Sequence, residues 1–87
     1  MAPNTRTRYP CPCCGFLTLS EPREKAYGDI CPVCFWENDI FNLAEDVPSD
    51  CNHGLTLLQG KENFSAYGAC EESMIKHTRK PQKCELP

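Results

Sequence analysis

The chain carries no long apolar run. No stretch approaches the roughly 20 apolar residues that span a bilayer as a helix, so no membrane association is expected. A positively charged balance is missing as well. Nine Lys and Arg stand against twelve Asp and Glu, a formal charge of −3. A broad nucleic-acid surface normally shows the opposite sign, which disfavours nucleic acid as a partner. The opening "MAPNTRTRYP" has no apolar h-region and does not read as a secretory signal. Gly-rich phosphate loops, Ser-based elbows and paired-carboxylate signatures are lacking too, so no catalytic residue can be named and a non-enzymatic protein is expected.

What the chain does have is cysteine: eight among 87 residues. One small domain of this length buries only about 60% of its unfolded surface and needs a staple. A cytoplasmic location is expected. Thiols are kept reduced there, which favours metal over disulfides. Two segments repeat one pattern, Cys11-Pro12-Cys13-Cys14-Gly15 and Cys31-Pro32-Val33-Cys34-Phe35. Each is C-P-x-C. Residues three apart in a tight turn can aim both sulfurs at one point, and proline fixes φ at the second turn position. Residues 15–30 separate the pairs, inside the spacing of about 15–20 residues expected for a zinc site. Cys11, Cys14, Cys31 and Cys34 are therefore the expected ligands of one Zn2+, with iron as the alternative for the same ligand set. Four thiolates leave no open position, which marks a structural rather than a catalytic ion.

Cys13 occupies the x position that Val33 fills in the second pair, so its sulfur should point away from the cage. It is expected to act as a small hydrophobe, or as a reactive thiol if exposed. Cys51, Cys70 and Cys84 are scattered and lack knuckle spacing. With His53 they could supply a second site, but nothing in the sequence places either histidine near a cysteine.

The expected architecture is a small metal-bound α+β domain, a zinc-ribbon or rubredoxin-like knuckle hairpin followed by one or two short helices. Its parts are a loose arm (1–9), the hairpin (10–36), an acidic loop (37–54), a helical part (55–80) and a tail (81–87). Within the hairpin, "GFLTLSE" alternates as a strand, "PREKAYG" turns, and "YGDI" returns to Cys31. Phe35 and Trp36 follow the second pair and should cover the site. Thr56 and Gln59 fit a capping box, and Gly68 fits a C′ glycine. Leu57, Gly60, Lys61, Phe64 and Tyr67 share a stripe, with Gly60 weakening the helix by roughly 1 kcal/mol. A second helix is expected over 70–79, with Phe64, Tyr67, Met74 and Ile75 in the core. Glu37, Asp39, Glu45, Asp46 and Asp50 form an acidic stretch, and Lys76, His77, Arg79, Lys80 and Lys83 a basic tail.

"YPCPCCGFLTL", "ICPVCFWEND" and "YGACEE…RKP" resemble the CPCC family of small cysteine-rich proteins over about Tyr9 to Pro81. That resemblance implies zinc binding and no assigned activity. The leading expectation is a zinc-binding protein-interaction module whose partner is unidentified. A second reading is a rubredoxin-like electron carrier with one iron on the four cysteines, since "YGDICPVC" resembles the second rubredoxin knuckle; against it, Phe35 replaces the usual glycine. A third is a zinc-ribbon nucleic-acid binder using Arg6, Arg8, Arg23 and Lys25 with Tyr9, Tyr27 and Trp36.

Overall fold

A computed structural model describes residues 8–41 and 44–87. Residues 1–7 of the expected arm, Arg6 among them, and residues 42 and 43 of the acidic loop lie outside it. Strand β1 (Tyr9–Pro10) pairs antiparallel with β2 (Leu17–Leu19), Tyr9 opposite Leu19 and Pro10 opposite Leu17. Tyr9, expected in a loose arm, is therefore part of the sheet. An irregularity in register falls between Tyr9 and Pro10, where proline brings no N–H to the ladder.

The expected hairpin is re-partnered. Residues 22–28 do turn, with Lys25 and Ala26 N–H donating to the Pro22 carbonyl. The following segment does not pair with β2. Asn38 N–H donates to the Asp29 carbonyl, and Ile30 bridges Glu37, so "YGDI" folds onto the residues after the second cysteine pair. Asp29 is instead clasped from its side chain by the amide and hydroxyl of Ser20. The physical reason is that each C-P-x-C turn closes its own miniature hairpin. Cys11 N–H donates to Phe16 O and Gly15 N–H to Cys11 O; Cys31 N–H donates to Trp36 O and Phe35 N–H to Cys31 O. One backbone pattern is built twice.

The stretch 37–54 is irregular, as expected, but it is more than a solvated loop. Asn38, Asp39, Ser49 and Asn52 are buried. The Asn52 amide imitates a strand: its Oδ1 accepts from Glu37 N–H and its Nδ2 donates to Glu37 O, both at 2.8 Å. Ser49 Oγ receives a hydrogen bond from Asn52 Nδ2 and donates to Asp39 Oδ2. Asn38 Nδ2 donates to the carbonyls of Arg23 and Ala26. Most buried polar groups are paired in this way, and these pairs fix the chain where hydrophobic contacts are few.

Helix α1 (Leu57–Tyr67) starts and stops where the sequence predicts. Thr56 Oγ1 accepts from Gln59 N–H while Gln59 Oε1 accepts from Thr56 N–H. Gly68 closes the helix at φ 78°, its N–H donating to Phe64 O. The second helix is shorter and tighter than expected, a 3-10 segment over Glu72–His77, and Ile75 is exposed, as is Tyr67. Backbone bonds explain the departure. Cys70 N–H donates to Cys34 O at 2.8 Å and Arg79 N–H to Pro32 O at 3.2 Å. The chain after α1 is thus laid along the second knuckle, leaving only a short climb between two fixed points. Two further 3-10 turns, Asp50–Asn52 and Lys83–Glu85, complete the elements among the described residues.

Candidate metal centre

The core is built on the knuckles themselves. Cys11, Cys13, Cys31 and Cys34 cluster with Val33, Trp36, Leu57 and Cys70, and Phe16, Phe35 and Phe64 pack on the outside. The Sγ atoms of Cys11, Cys14, Cys31 and Cys34 all lie within 4.8 Å of one another. Cys11 and Cys34 stand 3.6 Å apart, as do Cys14 and Cys31. Four sulfurs at about 2.3 Å around a central ion would be separated by about 3.8 Å, so the cage has the size of a tetrahedral four-sulfur site. All eight cysteines are free thiols. Cys31 and Cys34 have no exposed surface, and Cys14 is the one cysteine of the four that is not buried. The arrangement can hold one metal ion.

Crowding of four thiols sets their acidity. Cys31 is held well below the usual thiol range by hydrogen bonds from Cys11, then Cys14 and Cys34, and by the Thr18 hydroxyl. Cys34 is pushed up, chiefly by its hydrogen bonds to neighbouring thiols and by burial. A central cation is what allows all four to ionise. Two donors from outside the ligand set reach the sulfurs. Cys13 N–H approaches Cys11 Sγ at 3.4 Å, and Thr18 Oγ1 donates to Cys31 Sγ at 3.1 Å. Thr18 is not singled out by its sequence. It reaches the cage because β2 runs back from the first knuckle and carries the hydroxyl past the second.

Cys13 lies outside the set of four mutually close sulfurs, with its thiol beside Cys34, and is buried, 6% exposed. A thiol so enclosed is a poor target for alkylation or oxidation. Above it runs α1. A Cβ placed on Gly60 would lie 2.9 Å from Trp36 Cζ3, 3.0 Å from Cε3 and 3.4 Å from Cys13 Sγ. The glycine that reads as a flaw in the helix is the slot that lets the helix sit on the indole. Trp36 is consequently buried and offers no face for base stacking. Phe35 sits at φ 69° where the first knuckle has Gly15 at φ 83°. A side chain costs about 1–2 kcal/mol in that left-handed region. Its ring stacks on His77 at 4.9 Å, which keeps the imidazole of the 3-10 segment against the knuckle.

The remaining thiols part ways. Cys51 and Cys84 are exposed, and Cys84 Sγ lies 3.9 Å from Gln82 Oε1. Cys70 is buried, and burial, followed by its proximity to Cys13 and Glu71, pushes its thiol up to about 12. His53, which no signal in the sequence places near a cysteine, lines one cavity with Cys51 and Cys70.

Two C-P-x-C knuckles that close their own turns, and whose four sulfurs converge, define a small α+β protein with a four-cysteine cluster fit for metal. The chain belongs to the cysteine-rich CPCC family, whose model matches residues 9–85. No curated protein and no solved structure matches the chain. Among the described residues, no helix is long and apolar enough to cross a membrane.

Proposed function

We propose that this is a non-enzymatic cytoplasmic zinc protein, in which a single Zn2+ on Cys11, Cys14, Cys31 and Cys34 is structural and the folded module serves a protein partner. One observation carries the reading: four sulfurs gathered within 4.8 Å, three of them buried, so that an ion there has no open position for substrate. Partner binding is supported by a groove of about 350 Å3 beside the cage. Val33, Phe64, Tyr67 and Pro81 give it apolar walls, and Lys80 stands on its rim. Arg79, on the same rim, is already held by Glu85. The chemistry that fits is a short acidic segment with one apolar anchor.

Native mass spectrometry with elemental analysis tests the ion. One zinc per chain is expected, with a colourless protein; a red protein holding one iron would replace this reading with the rubredoxin-like one. Chelation followed by circular dichroism tests the structural role. Structural zinc contributes on the order of 10–16 kcal/mol, more than the stability of a small domain, so the apo chain should lose its fold. An unchanged spectrum after complete metal removal would show that the ion does something else.

A further inference from the structure

We propose that the cavity between the second knuckle and the Asp50–Asn52 turn is a second, weaker metal site, which takes a soft cation through Cys51, His53 and Cys70. The cavity holds about 40 Å3 and is lined by Cys51, His53, Cys70, Glu37, Glu71 and Met74 among others. A water needs about 10–15 Å3 measured in the same way, so the space admits a small ion with a water beside it. Its donors are two thiols, an imidazole and a thioether, the set that selects d10 ions such as Zn2+, Cd2+ or Cu+ over Mg2+ or Ca2+.

Three features point to a ligand rather than to chance proximity. His53 Nδ1 lies 2.7 Å from Glu71 Oε1. A carboxylate that accepts a hydrogen bond from Nδ1–H leaves the Nε2 lone pair as the free donor, which is how metal-ligating histidines are oriented. Cys70 is buried and cannot swing out. Its amide donates to Cys34 O and its carbonyl accepts from Asn63 Nδ2, so the backbone that carries this soft donor is fixed where the residue lines the cavity. Desolvation first, and then the nearby carboxylates of Asp39, Glu37 and Asp50, push the Cys51 thiol up, and a negative field of that kind favours a cation.

The donor atoms are not yet gathered. Among the described residues only the set Cys11, Cys14, Cys31 and Cys34 lies within mutual bonding range of one ion. Closure therefore requires the exposed side chains of Cys51 and His53 to rotate towards the fixed Cys70. A divalent ion then replaces the two thiol protons, which pass to solvent, and a water or the Glu37 carboxylate fills the fourth position. Such a site has less sulfur and more solvent than the cage, and so holds metal less tightly.

The test uses the full chain refolded with Cd2+ as its sole metal, followed by native mass spectrometry and 113Cd NMR. Two ions per chain are expected at saturation, giving one resonance typical of four sulfurs and a second, upfield, typical of fewer. Cys51→Ser and His53→Ala should each abolish or sharply weaken the second ion while retaining the first, and retention of the first reports that the variant is folded. Glu71→Gln should weaken the second ion about 10-fold, the usual loss when a carboxylate behind a ligating histidine is removed. A single ion at saturating Cd2+ overturns the proposal. So does a second ion whose affinity is the same in wild type, Cys51→Ser and His53→Ala. Loss of the first ion alone would count against the four-cysteine assignment instead.

Discussion

At the residue scale, Gly60 shows why helix propensity misreads a packed position. On propensity alone, Gly60→Ala should stabilise α1 by about 1 kcal/mol. The indole of Trp36 leaves no room for the added methyl, and overpacking a rigid core costs about 1–3 kcal/mol. The expected outcome is a net loss, read as a melting midpoint several degrees lower in the metal-loaded protein; a higher midpoint would mean that α1 does not press on Trp36. Thr18 makes a second residue-scale prediction. Thr18→Val keeps the shape and deletes the hydroxyl that donates to Cys31 Sγ. Metal affinity should fall about 10-fold, measured by competition with a chelator, with the helical signal unchanged. Neither residue announces its role in the sequence, because both act across space on partners distant in the chain. The convergence of Cys11, Cys14, Cys31 and Cys34 was legible, since a repeated C-P-x-C is a local geometric instruction.

The same contrast runs through the elements. Helix α1 was legible at both ends because caps are local: Thr56 and Gln59 satisfy each other's amides, and Gly68 tolerates φ 78°. Thr56→Ala should therefore cost about 1 kcal/mol, visible as a lower chelator concentration at the unfolding midpoint. The strands were not legible in their pairing. β1 is two residues long and contains a proline, too little for a period-2 signal, and β2 offers its edge to β1 instead of to "YGDI". The 3-10 segment Glu72–His77 escaped for a third reason. Its polar ends, Glu72 at the start and Lys76 and His77 at the finish, suit any helix; the backbone anchors at Cys70 and Arg79 decide which kind forms. Tyr67 and Ile75 are expected in the core from sequence, yet both are exposed.

Across the whole molecule, the second knuckle is the hub. It receives α1 through Trp36, the C-terminal part through Cys34 O and Pro32 O, and the polar clasp of Asn52 through Glu37. Loss of the ion should therefore release both halves together. Hydrogen exchange after chelation should show protection vanish at Cys70 and Arg79 as well as in the knuckles, whereas a C-terminal part that stays protected would mean it folds on its own. Acid should act in the same direction from two sources. Glu85 is buried, and the Arg79 guanidinium holds its carboxyl below the usual range. A depressed folded-state value contributes stability that is present above the unfolded value and is lost as pH falls through the folded one. The cage also loses its ion when protons compete for the thiolates. Stability measured by urea titration should accordingly be greatest near neutrality and fall on acidification. Glu85→Gln should flatten the part of that fall that occurs while the ion is still bound.

The molecule's only tryptophan lies in the slot beneath Gly60, beside a sulfur atom. Its emission should therefore be dim and blue-shifted while helix and knuckle are docked, and brighter and red-shifted once water reaches the indole. Every step of assembly can be followed in real time without attaching a dye.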